Sequence, residues 1–277
     1  MGCRLLTSRS RRVRALAVPW HDDTMADSND AVLTEVRGRV LLITLNRPDQ
    51  MNAVNTDLAQ GLVAATRQLD EDDGLTAGVL TGAGRGFCAG MDLKAFAAGG
   101  PPQGFDQFLE QGSRKPLIAA VEGFALAGGL EVALTCDLIV AAEGVRLGIP
   151  EVGVGLFAAG GALLRLPSRL PYAVAMEMAL TADPITAEEA KAYGLVARVT
   201  EKGRAVEVAL ELAERIARNA PLAVAASKQL IRATQGRTEA EFWELQRPLM
   251  AQVFTSEDAK EGPRAFAEKR APVWSGR

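Results

Sequence analysis

The sequence is nearly without histidine. Its single one, His21, falls in an N-terminal segment that stands apart from the rest. Histidine-based triads and histidine-rich metal sites are therefore excluded from the body of the chain. Cysteine is almost as scarce: Cys3, Cys88 and Cys136 have no paired spacing. Neither a disulfide framework nor a zinc site is expected, and a reducing, cytoplasmic setting fits. No apolar run approaches the ~18–20 residues that span a bilayer, so no membrane partner is expected. A basic excess is missing too. With 31 Lys and Arg against 34 Asp and Glu, the net charge is -3, and no nucleic-acid partner is implied. The letters contain no internal repeat and no low-complexity tract.

What is present is a 277-residue chain, 48% hydrophobic and 23% charged, long enough for a sizeable core. Residues 1–24 carry five arginines against Asp22 and Asp23 and lack the apolar region of a secretory signal. They read as an upstream extension, disordered or loosely packed, with Met25 as an alternative start.

Beyond them, the patterning alternates strands and helices. Val32 to Glu35 and Val40 to Leu45 are β-rich and joined at Arg37-Gly38, a hairpin signal. Asn55 or Thr56 caps a helix whose apolar face is Leu58, Leu62, Ala65 and Leu69. Strands are expected at Ala77–Leu80, Leu117–Val121, Leu138–Ala142, Arg146–Ile149 and Leu195–Val199. Helices are expected at Met91–Ala98, from Gly128, at Ala159–Leu166 and at Tyr172–Leu180. Thr186-x-x-Glu189 is a capping box and Gly194 a helix stop. From Ala205 to Lys269 the pattern is helical throughout. This order predicts an α/β fold with parallel strands over residues 25–199 and a helical region over 200–277.

Chemistry is sought first in the glycine-rich loop Gly82 to Gly90. Gly82-Ala83-Gly84 begins like a dinucleotide fingerprint, but the third glycine should stand at 87, where Phe87 stands. A Rossmann dinucleotide site is not expected. The loop can instead present backbone donors, with Ala89 as the candidate. Cys88 has no core histidine to activate it and reads as a packing residue. The stretch Leu117 to Leu134 reads as strand, turn and helix. Its Gly128-Gly129 opens the helix, where free N–H groups and a partial positive charge favour an anionic oxygen. Two acids, Glu131 and Glu151, sit in apolar, glycine-rich surroundings. If their two βα connections lie side by side, both carboxylates face one cleft and can divide acid and base roles. From spacing alone, a helix-dipole partner and a strand-end acid account for them equally well.

Several stretches taken together resemble a known family. They are Gly86-Phe87-Cys88-Ala89-Gly90-Met91-Asp92-Leu93, Gly123 to Glu131, Cys136-Asp137 and Ile149-Pro150-Glu151-Val152-Gly153. Asn46-Arg47-Pro48, Met51-Asn52-Ala53 and Phe266 to Arg270 complete the set. Their order and spacing resemble the crotonase superfamily, and more narrowly an enoyl-CoA hydratase, from about Val32 to Arg270. The resemblance implies a spiral of ββα repeats, a C-terminal helical region used in trimerisation, and an acyl-CoA partner. It implies a homo-oligomer, trimer or dimer of trimers, and no cofactor, since coenzyme A is part of the substrate. It implies an oxyanion hole made by the N–H groups of Ala89 and Gly128, and Glu131 and Glu151 as the paired catalytic acids. Arg47, Met51, Ala53, Gly90, Met91, Asp92, Leu93 and Lys269 are then candidates for coenzyme A and pantetheine contacts, with Lys269 reaching from an adjacent subunit. The sequence departs from the pattern after Glu151: the Pro-Gly pair and the Thr-Gln of relatives become apolar. Phe157 is then a candidate for shaping the acyl pocket. Isomerisation, hydrolysis and plain acyl-CoA binding are the alternatives on this fold, and a specialised acyl group such as crotonobetainyl is open.

Overall fold

The computed structural model describes residues 31–277. The extension at 1–24, with Cys3 and His21, lies outside the described residues. The hairpin forms as the Arg37-Gly38 signal requires: β1 (Val32–Arg37) pairs antiparallel with β2 (Val40–Leu45). Helix α1 (Thr56–Glu71) follows. The Asn55 side chain accepts the Leu58 N–H at 3.0 Å, and Leu58, Leu62, Ala65 and Leu69 are buried. Then come β3 (Ala77–Gly82) and α2 (Leu93–Gly99). Helix α2 starts later than expected, because Asp92 caps it by accepting the Ala95 N–H. Past the Gly99–Pro102 break lies a helix absent from the sequence reading, α3 (Phe105–Gln111). Its Phe105, Phe108 and Leu109 face inward, but two turns are too short to show a period.

The middle of the chain runs β4 (Leu117–Val121), β5 (Phe124–Leu126), α4 (Gly128–Thr135), β6 (Leu138–Ala142) and β7 (Arg146–Gly148). A 3-10 turn over Pro150–Val154 follows. Helix α5 is a single turn (Ala162–Arg165), shorter than expected, and α6 spans Tyr172–Thr181. After β8 (Ile185–Thr186) comes α7 (Ala187–Ala192), whose capping box closes in both directions between Thr186 and Glu189. The last strand, β9 (Arg198–Thr200), begins late in its expected range. Helices α8 (Ala205–Ala217), α9 (Pro221–Ala233), α10 (Glu239–Phe254) and α11 (Glu257–Ala267) end the fold.

The strands divide between two sheets. Six form the order β1-β2-β3-β4-β6-β9, parallel from β2 onward, and three form β5-β7-β8. Consecutive strands go to different sheets before the chain turns into a helix: β4, β5, α4, then β6, β7 and the 3-10 turn. One unit earlier, the loop after β3 takes the same path. Cys88 bridges Ala125 of β5, and Met91 bridges Val54. The ββα repeat is thus a repeat of path, not of letters.

Alternation of side chains on the large sheet builds two cores. Leu41, Ile43, Leu80, Ala119, Val121, Ile139 and Ala141 face α1, α4 and the small sheet's residues. Val40, Leu42, Val79, Ile118, Ala120 and Val140 face Ala205, Ala209 and Ala213 of α8. Small residues at i, i+4 and i+8 let that helix lie close to the sheet. Glu122, just after β4, accepts the Ala205 N–H at 3.0 Å and so caps α8. Packing therefore carries α8 with the core, although it belongs by sequence to the helical region. Helix α9 is tied in by charge instead: Asp137 accepts Lys228 at 2.7 Å, Arg232 at 3.3 Å and the Leu117 N–H at 2.8 Å.

Candidate active site

The small sheet brings the two acids together. Its β5 and β7 run parallel, with Leu126 opposite Gly148. Each strand is followed within two residues by a helical turn, so Glu131 in the first turn of α4 and Glu151 in the 3-10 turn occupy adjacent βα connections. This is the side-by-side arrangement that spacing alone left open.

Glu131 is 4% exposed. Its Oε1 accepts the Ala162 N–H at 3.2 Å, and the Gly160 N–H bonds the same carboxylate. Burial raises its pKa above the usual carboxylate range; the two N–H groups and the Arg165 guanidinium oppose that rise. Glycine at 160 leaves room for this carboxylate: an added Cβ would stand 2.5 Å from Glu131 Oε2 and displace it. Glu151 is also raised, by burial first and then by the charge of Glu131, against a bond from its own backbone N–H. Its Oε2 is buried with no hydrogen-bond partner among the described residues. A buried carboxylate oxygen without a partner is costly, and here it stands beside a second carboxylate. The pair is suited to holding a small hydrogen-bonding molecule and moving protons.

The backbone donors are not the pair that the resemblance implies. The chain enters α4 through Ala127, whose φ of 52° and ψ of -131° are strained for a residue with a side chain. Ala127 N–H is held by Gly148 O at 2.9 Å. This turn frees the Gly128 N–H at the helix start. At 129 only glycine fits, because a Cβ would drive into the Cys88 carbonyl. Ala89, however, gives its N–H to Met51 O at 3.0 Å. That donor is used, which corrects the assignment of Ala89. Two residues on, Val54 N–H bonds Gly90 O at 2.8 Å and Asp92 N–H bonds Val54 O at 2.9 Å. Those bonds leave Met91 N–H pointing away from Val54. It faces Gly128: a Cβ built there would be 3.5 Å from Met91 N. Met91 and Gly128 are therefore the adjacent free donors. Met91 was expected among the coenzyme A contacts; its backbone has the more direct position.

The segment before this loop is a clamp. Asn52, fully buried at φ 55°, accepts the Arg47 N–H at 2.9 Å and donates to Ala83 O at 2.9 Å and Gly86 O at 3.0 Å. Cys88 Sγ donates to Asn52 O at 3.0 Å. Burial pushes the Cys88 thiol up to about 12, which fits a packing residue and not a nucleophile. Arg47 is engaged within the chain: its guanidinium donates to Ala53 O and pairs with Asp92 at 3.0 Å. It joins the segment containing Met51 and Ala53 to the start of α2 at Leu93. The sequence motif Met51-Asn52-Ala53 did not signal which residue mattered most. Asn52→Ala should cost about 2–4 kcal/mol of stability, since it strands an N–H and two carbonyls in the interior. Thermal unfolding of the variant measures that loss.

Of the remaining candidates, Gly90 adjoins the donor pair within one chain, whereas Phe157 and Leu93 are exposed. Phe157 is 66% exposed, so it does not line an enclosed pocket here. Lys269 follows the end of α11, at φ 55°. Gly90 lies between Met91 and Ala127, and Leu93 is exposed at the start of α2.

The fold recurs in known proteins. The family model described as enoyl-CoA hydratase/isomerase matches residues 35–277. A protein named enoyl-CoA hydratase EchA19, from Mycobacterium tuberculosis, is 44% identical over 262 residues, covering 91% of this chain and 98% of its own. One named carnitinyl-CoA dehydratase, from Proteus mirabilis, is 41% identical over 253 residues, covering 87% and 97%. The crystal structure of an enoyl-CoA hydratase from Mycobacterium tuberculosis H37Rv superposes with a TM-score of 0.86 at 52% identity, over 90% of this chain and 100% of that one. The α/β architecture, with its helical C-terminal region, is the one the resemblance implied. The chain belongs to the enoyl-CoA hydratase/isomerase family of the crotonase superfamily.

Proposed function

We propose that the chain is a hydro-lyase adding water across the 2,3 double bond of an enoyl-CoA thioester, or running the reverse dehydration. The observation that carries this reading is the pair of buried carboxylates, Glu131 and Glu151, in adjacent βα turns, one with an unpartnered oxygen. The names of the relatives support the same reaction class.

In the scheme, Met91 and Gly128 donate their N–H groups to the thioester oxygen. A water sits between the two acids. Ionised Glu131 takes a proton from it as its oxygen bonds to the β-carbon. The electron pair of the double bond moves to the thioester oxygen, giving an enolate that the two donors stabilise. The enolate collapses as Glu151 gives a proton to the α-carbon. Exchange with solvent resets both acids. No cofactor enters, and coenzyme A leaves with the product. As the two acids are coupled, the pH limbs belong to the pair.

A trimer or dimer of trimers goes with this proposal. Helices α9 and α10 bury no residue completely, and Ile231, Phe254 and Phe266 are exposed. A neighbouring copy would cover such a surface and could bring Lys269 to the coenzyme A phosphates.

The test is a turnover panel: crotonyl-CoA, longer enoyl-CoAs, and crotonobetainyl-CoA, whose inclusion follows from the dehydratase relative. Loss of the enoyl-thioester absorbance, with a product heavier by one water and an intact thioester, is expected for at least one substrate. A shifted double bond would make the chain an isomerase, and free coenzyme A would make it a hydrolase. Tight binding without turnover on the whole panel would make it an acyl-CoA-binding protein.

A further inference from the structure

We infer that Arg165 is a positioning residue for the reaction: its guanidinium locks the 160–162 turn that holds Glu131. This rests on the hydratase reading above.

The geometry converges on that side chain. The carboxylate of Glu131 is gripped by the N–H groups of Gly160 and Ala162. A grip made of a turn is only as firm as the turn. Arg165 lies one helical turn on and reaches back across it. One nitrogen donates to Gly160 O at 3.2 Å, and another donates to Leu109 O near the C-terminal end of α3. The forked guanidinium thus joins two separate elements, which a single ammonium does less well. The elements it joins are those that frame Glu131. Leu109 Cδ1 would meet a Cβ at Gly160 at 2.6 Å, and α3 packs on α4, which carries Glu131. No sequence spacing announces this, since Leu109 and Arg165 are 56 residues apart.

Charge adds to geometry. The charged groups around Glu131 are Arg165, whose charge favours the ionised form, and Glu151, which feels the charge of Glu131. Arg165 in turn faces Arg169, Arg232 and Glu131. Arg169 and Arg232 are repulsive neighbours, so Glu131 is the carboxylate that Arg165 faces. Two consequences are expected if the side chain is removed. The turn loosens and Glu131 loses alignment. Its carboxylate also stays protonated to higher pH, because burial is no longer opposed by the guanidinium.

The experiment measures kcat, KM and pH profiles for hydration by Arg165→Met and Arg165→Lys, each also built on Glu131→Gln. A displaced reacting group costs up to about 10²-fold. Arg165→Met should therefore lower kcat by roughly ten- to a hundredfold, leave KM within about twofold, and move the rising limb of the pH profile to higher pH. Arg165→Lys keeps the charge and loses the fork, so it should keep the limb in place while lowering kcat. On Glu131→Gln, neither change should lower kcat further, because the group being positioned is already gone. Wild-type kcat and pH profile in Arg165→Met would overturn the inference. If that variant does not fold, Arg165→Lys decides alone: additivity with Glu131→Gln overturns the inference and non-additivity supports it. Retention of turnover by Glu131→Gln itself would instead sink the hydratase reading.

Discussion

Glu131→Gln and Glu151→Gln should each lower kcat for enoyl-thioester hydration by roughly 10²–10⁴-fold, the usual contribution of a positioned general acid or base. The substitution is chosen because it changes little else. At 131 the amide oxygen can still accept the Ala162 N–H that now bonds Oε1. KM should move little, since the thioester oxygen is held by backbone N–H groups that the variants keep. The pH profile of the unmodified protein should be bell-shaped in kcat/KM. It rises as the coupled pair loses its first proton and falls as it loses the second, the one that must be donated. Both limbs should lie above the ordinary carboxylate range, because burial raises both groups and Glu131 raises Glu151 further.

Stability gives an independent check on the same residue. The folded-state pKa of Glu131 is raised. The folded protein therefore binds this proton more tightly than the unfolded chain does. Its contribution to stability is fully present below the unfolded value of about 4.3 and is lost as pH rises through the folded value. At neutral pH the ionised Glu131 thus works against folding. Glu131→Gln should be at least as stable as the parent at pH 7–8, and its advantage should shrink as pH falls toward the ordinary carboxylate value. A variant that is inactive but no less stable is the signature of a functional acid. If both glutamine variants turn over like the parent, the two-acid scheme fails.

Much of this architecture was legible before any coordinates. Asn55 before a period of Leu58, Leu62, Ala65 and Leu69 predicts α1, and Thr186 with Glu189 predicts the start of α7. These signals are local, because each is a side chain meeting a neighbour three or four residues away. The unreadable parts depend on partners distant in sequence. Strand β5 has three residues and no pattern of its own; pairing with β7 makes it a strand and brings the two acids together. The ββα repeat is invisible in the letters because it is carried by which sheet each strand joins. Arg47 is a candidate coenzyme A contact by motif alone, and its ion pair with Asp92, 45 residues away, has no signal in the sequence. The donor pair shows the same limit at atomic scale. The sequence motif places Ala89 and Met91 in one small, flexible loop. Which of their N–H groups is free depends on the alternation set by Met51, Val54 and β5.

That last distinction supports a direct prediction. An amide-to-ester replacement at Met91 exchanges the N–H for an oxygen and keeps the side chain. No backbone bond of the described residues uses that N–H, so folding should be little affected, while kcat/KM should fall by about 10²–10³-fold. The same replacement at Gly128 should act similarly, because the first N–H groups of a helix have no partner within it. At Ala89 the outcome should invert. There the N–H is bonded to Met51 O at 3.0 Å. Its loss should cost on the order of 1 kcal/mol of stability and leave kcat/KM close to the parent value. Measuring all three esters by turnover and thermal unfolding separates the assignments, since one mutation class strikes donors that differ only in direction. A large kinetic loss at Ala89 with none at Met91 would return the oxyanion site to the residue that the sequence motif implied.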